Sequence, residues 1–385
     1  EISLVFINYP LFIMNKTGEV PVVEAYAVSE PPPPVSAPPA HLSSQIDPPA
    51  PPQQTTHPHT EAREFLAGHK WPLGLQDTFI SNLSSITHRF FICDDSGSMM
   101  ASDGHRLMPN SAGQLKYITC TRWQELTDAL SFHARLAHAA QAPTEFRLLN
   151  GGTPISVGSA DSDDSVRLNN LLQTFEKSPG GGTPLCKHIR EVTEKIRRME
   201  SSLRASGQKA CVIIATDGES SDGDIVSAMQ PLRLLPVWVV VRLCTDEDRI
   251  VDYWNNIDSQ LELDMDVLDD LCGEAAEVME NNNWLTYGEP MHRLREFGVL
   301  IKEIDMMDSN KLSLDQIRKF CSIIFGGSVD SYPHPELDFY GFMAAVAKQN
   351  ARTNKVWDPV TKRMRPWIHK RALYAKSAAN MCTIS

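Results

Sequence analysis

An apolar run, Phe-Phe-Ile-Cys at 90–93, ends abruptly in Asp94, Asp95, Ser96, Gly97 and Ser98. Carboxylates and hydroxyls are costly to bury without partners, so the Asp94-x-Ser96-x-Ser98 spacing points to a polar ligand at the end of a strand. Two distant segments carry oxygen donors in similar settings: Thr183 in GGGTPL, where a helix is expected to begin, and Asp217 in IIATDGES, at the end of another apolar run. Asp94, Ser96, Ser98, Thr183 and Asp217 together offer two carboxylates and three hydroxyls. That set suits a hard divalent cation, and its small charge suits Mg²⁺ better than Ca²⁺, with Mn²⁺ a further candidate. Glycines 180–182 let the backbone bend closely enough to place Thr183. Two carboxylates leave such an ion incompletely neutralised, so it would attract an acid from another molecule.

Other chemistries fit the residues less well. A nucleophilic serine needs a base within hydrogen-bond reach; DSGSM is not the G-x-S-x-G elbow, and nothing sets His88 or His105 beside a serine with an orienting acid. GGGTPLCK lacks the glycine before Lys187 and the hydroxyl after it that a phosphate loop requires. The stretch 305–316 has Asp305 and Leu312 where a calcium loop would have its first and eighth residues. Met307, Asn310 and Gln316 replace a ligand, the glycine and the bidentate Glu, so it reads as a packing element, as does 330–341 with Leu337. His133 and His138, five apart on a helix, splay from each other. Trp123, Trp238, Trp254 and Met265 fall at core spacing.

The elements that must position the oxygen donors follow from periodicity. Strands are expected at 88–95, 145–151, 210–218, 236–246 and 263–270, and amphipathic helices at 121–141, 164–178, 183–206 and 247–261. Near-continuous apolar strands alternating with such helices predict an α/β domain, a doubly wound, mostly parallel sheet covered on both faces. Folds of this class bind ligands beyond the carboxyl ends of their strands, where the three donor segments would converge.

These residues resemble the von Willebrand factor type A (vWA) family with its metal-ion-dependent adhesion site. DDSGS, GGTPL and TDG match its Asp-x-Ser-x-Ser, distant Thr and later Asp in order and spacing, across roughly residues 80–275. The resemblance implies that Ser96, Ser98 and Thr183 contact a metal directly or through water. It implies that Asp94 and Asp217 act largely through water, and that a partner's Asp or Glu completes the shell. TRWQEL, VRLCTDEDRIVDYWNNID and MDVLDD further resemble an intracellular protist, algal and fungal branch without an assigned activity. One departure is the polar insert 101–120, expected beside the metal. Another is the extra acid in GESSDGD, where Glu219, Asp222 and Asp224 could add to cation binding but are better read as caps for the following helix.

The chain of 385 residues, 42% hydrophobic, is long enough for two ordinary domains. A net charge of −12 argues against a dedicated nucleic-acid binder. Eight scattered cysteines without a CxxC pair read as reduced thiols of a cytoplasmic protein. The apolar residues 1–14 are too few to span a bilayer, and an opening Glu suggests a sequence that continues upstream. Asn15 and Asn82 begin glycosylation triplets that matter only in a secreted chain. Residues 1–61 read as a Pro-rich, mostly disordered segment, 62–280 as the vWA domain, 281–350 as a helical extension where strands stop, and 351–385 as a basic tail. From 348 to 376 nine Lys or Arg face one acid, Asp358, which suits a solvated or docking segment. The expected function is non-enzymatic, metal-dependent binding of a partner protein through its carboxylate, with membrane contact disfavoured. The alternatives are a metal-assisted hydrolase or enzyme subunit, and a metal-independent scaffold.

Overall fold

The computed structural model describes residues 57–383 apart from 112 and 246. They fall within one compact unit, 54–385. The apolar N-terminal run, Asn15 and the Pro-rich stretch up to 56 lie outside the described residues.

In chain order the elements are α1 (His57–Gly68), α2 (Leu73–Asn82), β1 (Ile86–Cys93), β2 (Gly104–Pro109), β3 (Leu115–Cys120), α3 (Arg122–Ala140), β4 (Thr144–Leu148), β5 (Ile155–Val157), α4 (Asp164–Phe175), α5 (Leu185–Ser206) and β6 (Lys209–Thr216). There follow α6 (Ile225–Met229), β7 (Val237–Leu243), α7 (Asp248–Leu261), β8 (Met265–Leu268), α8 (Leu271–Asn281), α9 (Glu289–Glu296), α10 (Lys302–Asp305), α11 (Leu314–Phe325), α12 (Phe339–Arg352), β9 (Val356–Asp358), β10 (Arg363–Arg365) and α13 (Lys370–Thr383).

Six strands form the central sheet in the order β5-β4-β1-β6-β7-β8. Every neighbouring pair is parallel except β4 and β5. The two-residue period of a strand divides the apolar side chains between two cores. Phe91, Cys93, Ile213 and Val240 enter one; Phe90, Ile92, Val212, Ile214 and Val241 enter the other. The second is closed by Leu185, Ile189 and Val192 of α5, Ile225 of α6 and Trp254 of α7. The mixed α/β fold with helices on both faces matches the expected class. In the sheet β4 lies on one side of β1 and β6 on the other, so the sheet reverses direction of growth at β1, and folds of this class bind ligands in the crevice at such a reversal, here between the ends of β1 and β6.

The first face departs from the expected outline. It is closed by α1, α2 and α3 and also by the C-terminal segments, through Leu294, Phe297, Ile317, Phe320, Phe342, Trp367 and Leu373. Buried Arg89 of β1 donates from Nε to the Phe297 carbonyl at 2.9 Å, and its guanidinium lies 4.3 Å from the Phe297 ring centroid. Gly298 has φ +80°, and a Cβ there would come within 2.2 Å of Cys211 Sγ, so only glycine lets the chain lie this close to β6. Segments between 281 and 373 therefore share the core of the sheet. The basic stretch is tied in by buried Trp367, Ile368 and Leu373 and by an Arg365–Asp358 pair at 3.1 Å.

Strands also continue past 280: β9 and β10 form a short antiparallel hairpin. The polar insert 101–120 is an antiparallel ribbon of β2 and β3, paired from Gly104 with Cys120 to Pro109 with Leu115. Its Tyr117 stacks on His105 and on Trp357 of β9, which gives a polar ribbon an apolar anchor. Helices α1 and α2 precede the first strand, and α1 begins at His57, within the segment expected to be unstructured. Among the described residues no helix is long and apolar enough to cross a membrane.

Candidate metal centre

The carboxyl ends of β1 and β6 are adjacent, because Cys93 pairs with Ala215. Asp94 continues this pairing by donating its backbone N–H to the Ala215 carbonyl at 2.8 Å. Its side chain is fully buried, and both oxygens are engaged: Oδ1 accepts from the Ser96 backbone N–H at 2.9 Å and Oδ2 from the Thr216 hydroxyl at 2.7 Å. Burial raises the Asp94 carboxyl above its ordinary pKa against the lowering effect of these donors, and the nearby Asp217 adds to the rise.

From Ser96 a chain of oxygen contacts crosses to the second loop. Ser96 Oγ lies 2.9 Å from Ser98 Oγ, and Ser98 Oγ donates to Asp217 Oδ1 at 2.8 Å. Asp94, Ser96, Ser98 and Asp217 are thus brought together in one cluster, in which Asp94, Ser96 and Asp217 are buried and Ser98 is exposed.

Thr183 makes no side-chain hydrogen bond to the other four among the described contacts. Its loop is fastened to the first motif through the backbone: Gly97 N–H donates to Gly181 O at 3.2 Å, and Gly180 N–H to Asp95 O at 2.7 Å. Asn150 donates from Nδ2 to both Asp95 Oδ1 and the Gly182 carbonyl, at 3.0 and 2.8 Å. Gly181 has φ +103°, and a Cβ there would sit 2.4 Å from Asn150 Oδ1. On the other side, Thr183 N–H donates to Ser221 Oγ at 3.0 Å and its carbonyl accepts from Ser221 N–H at 2.9 Å, which ties it to the Asp217 loop.

The acids of GESSDGD have structural partners. Asp224 caps α6 by accepting from Ser227 N–H at 2.9 Å, as expected. Asp222 caps the preceding helix instead, accepting from Cys186 N–H and Lys187 N–H at the start of α5, both at 2.9 Å. Glu219 pairs with Arg249.

Arg122, the first residue of α3, meets the motif's Asp217 although the motif does not contain it. Its buried guanidinium donates to Asp217 Oδ2 at 3.0 Å, to both oxygens of Asp103 at 2.8 and 2.5 Å, and to Glu247 Oε1 at 2.9 Å. The hydrogen bonds from Arg122 hold the Asp103 carboxyl below its ordinary range. A signal for it exists in the sequence. A cation in the first turn of a helix opposes the helix dipole, so an Arg directly after the Thr121 cap calls for acidic neighbours.

The remaining candidates lie elsewhere. His88 bonds Thr87, and His105 stacks on Tyr117, so neither meets Ser96 or Ser98. His133 bonds Glu296 at 3.0 Å while His138 bonds Asp164 at 2.5 Å, on separate networks. Trp123, Trp238, Trp254 and Met265 are buried. In 305–316, Asp305 ends α10, Met307 and Leu312 are buried, and Ser313 and Gln316 form the capping box of α11. Among the described residues no group of three or more His, Cys, Asp or Glu is placed to hold a metal, so any cation at the motif would rest largely on hydroxyl oxygens.

No family model and no curated protein matches the sequence. Among solved structures, a crystal structure of the SpRpn10 VWA domain is similar at 9% identity and a TM-score of 0.32, covering 48% of this chain and 89% of that one. A likeness at that score carries no argument about the site.

Proposed function

We propose that this chain is a divalent-metal-dependent protein-binding module of the vWA type. In this reading Ser96, Ser98 and Thr183 hold Mg²⁺ at the crevice between β1 and β6, with Asp94 and Asp217 acting through water. The observation that carries it is the run of oxygen contacts Ser96–Ser98–Asp217, at 2.9 and 2.8 Å, beyond adjacent central strands. Adjacent ligands of an octahedral Mg²⁺ shell stand about 2.9–3.0 Å apart, given metal–oxygen bonds of about 2.1 Å. Calcium's longer bonds, about 2.4 Å, would spread them to about 3.4 Å. The 2.9 Å between Ser96 and Ser98 is also the length of a hydrogen bond between two hydroxyls, so the preference for the smaller ion rests on the small charge of the donor set.

Bound there, Mg²⁺ would supply a hard cationic centre able to take a partner's Asp or Glu. The chain's own residues set the rest of the surface. Asp103 and Glu247 are partly exposed beside the site and would repel an acidic partner if no cation were bound, so partner capture should depend on metal. A groove of about 500 Å³ runs alongside, lined by Met100, Arg106, Trp123, Lys177 and Pro179, and offers room for residues flanking the partner's acid.

A second reading, a metal-independent scaffold, is favoured by Arg122, which already gives Asp217 an internal counter-ion. An enzymatic role would need a free general base near the serines; no histidine bonds Ser96 or Ser98, and the carboxylate that does accept from Ser98, Asp217, is already paired with Arg122. Titration calorimetry of chelator-treated protein with Mg²⁺, Mn²⁺ and Ca²⁺ separates the readings. One ion should bind, Mg²⁺ and Mn²⁺ ahead of Ca²⁺, and binding should vanish in Ser96→Ala/Ser98→Ala. Absence of binding, or binding untouched by the double substitution, would overturn the metal reading in favour of the scaffold.

A further inference from the structure

Asp217 has two carboxylate oxygens and both are committed within the chain. Oδ1 accepts from Ser98 at 2.8 Å and Oδ2 from Arg122 Nη1 at 3.0 Å. The Asp217–Arg122 pair is buried, with side-chain exposures of 1% and 7%, so it is little weakened by solvent. The guanidinium is also fixed from behind by two carboxylates on different elements, Asp103 in the loop before β2 and Glu247 before α7. A planar fork anchored at three points cannot swing away without stranding several charge-assisted hydrogen bonds.

We propose that Arg122 is the positioning residue of this site: it holds Asp217 away from direct coordination, so that a cation on Ser96, Ser98 and Thr183 keeps a carboxylate-free inner shell. This rests on the metal-binding reading above and deepens it. An inner shell of neutral hydroxyls and water leaves the ion's charge to be met from outside, which makes an exogenous carboxylate the preferred final ligand. It also weakens resident metal binding, since the strongest available oxygen donor is kept one layer out. Arg122 thus exchanges affinity for the ion against affinity for the partner.

The test uses Mn²⁺ as probe on the full chain, comparing wild type with Arg122→Met by calorimetry and by water-proton relaxation, which counts waters on the bound ion. Release of Asp217 should tighten Mn²⁺ binding about 10-fold, the scale on which outer-layer partners act on metal sites. It should also remove one bound water, and both changes should disappear when Asp217→Asn is added. Equal affinity and equal water count in wild type and Arg122→Met would overturn the positioning role while leaving the metal site standing. Binding by the variant alone would also overturn it, because Arg122 would then exclude the ion. Failure of both proteins to bind would remove the underlying reading. Should Arg122→Met not fold, a crystal structure of wild type with Mg²⁺ decides. An Asp217 oxygen within about 2.1 Å of the ion would overturn the proposal, and an intervening water with Arg122 in place would support it.

Discussion

Thr216 bears on the site from a position that no motif names. Its hydroxyl donates to Asp94 Oδ2 at 2.7 Å in a fully buried setting, opposing the penalty that burial places on that carboxylate. Thr216→Val keeps the shape and removes the donor, leaving a buried charge short of one hydrogen bond. Stability in the absence of metal is expected to fall by about 1.5–3 kcal/mol, the range for hydrogen bonds to charged groups, and urea denaturation would measure it. A loss below about 0.5 kcal/mol would mean that Asp94 is stabilised mainly by the Ser96 backbone. At this scale the sequence was informative about polar residues in apolar surroundings: Asp94, Ser96 and Ser98 stood out because an apolar strand ended in them. Thr216 did not, since a threonine inside IIATDG is also an ordinary strand residue. Asn150, 55 residues after Asp95 and 32 before Gly182, was equally silent because its role depends on two loops meeting in space.

Helix α3 links the site to the C-terminal segments through one buried row. Its first residue meets Asp217, and Glu125, one turn on, accepts from the His105 backbone N–H at 2.8 Å and pairs with Arg242 of β7. Further along, His133 meets Glu296 of α9, which is also bonded by Arg293 at 2.9 Å and Arg242 at 3.3 Å. A carboxylate acceptor places the His133 proton on Nε2, and the ring is otherwise enclosed by Phe91, Phe132 and Phe297. Burial lowers the His133 pKa despite the Glu296 hydrogen bond, with Arg293 and His292 adding to the fall. Burial would raise Glu296, but Arg293, His292 and His133 outweigh it and hold that carboxyl well below its usual range. The signs agree. With its folded pKa depressed, His133 binds a proton more readily in the unfolded chain, so stability is complete above about pH 6.5 and declines as pH falls toward the folded value. His88, His188 and His369, also lowered by burial, add in the same direction. Glu296 extends the decline through the carboxylate range. Unfolding free energy measured between pH 8 and 5 should drop below about pH 6.5 by up to about 1.4 kcal/mol per pH unit for each such histidine, and His133→Gln should flatten the slope. A flat profile in the wild type would place these rings in contact with water.

Across the whole molecule, the two faces of the sheet differed in how far sequence could describe them. The face covered by α5, α6 and α7 followed from adjacent segments with strong periodicity. The other face was legible in part: the helices expected at 121–141 and 164–178 lie on it as α3 and α4, while the rest of its cover comes from far along the chain and from α1 and α2 before it. Short strands such as β5, β9 and β10, three residues each, are too brief to carry a period. The ribbon of β2 and β3 was hidden by its polar surface. The consequence is a claim about folding units. Removal of residues 281–385 would expose Phe79, Phe91, Trp238 and Val240, which share a core with Leu294, Phe297, Phe320 and Phe342, and would leave Arg89 without the Phe297 carbonyl. Each large apolar side chain returned to water costs about 1.5–3 kcal/mol, so a few suffice to exceed a typical net stability of about 5–15 kcal/mol. Residues 54–280 expressed alone are expected to aggregate or to bind a hydrophobic dye without a cooperative melt, whereas 54–385 should unfold in one transition. A cooperative, dye-silent 54–280 would show that the sheet closes its first face with α1 to α4 and α8 alone, and would make the C-terminal segments a separate attachment.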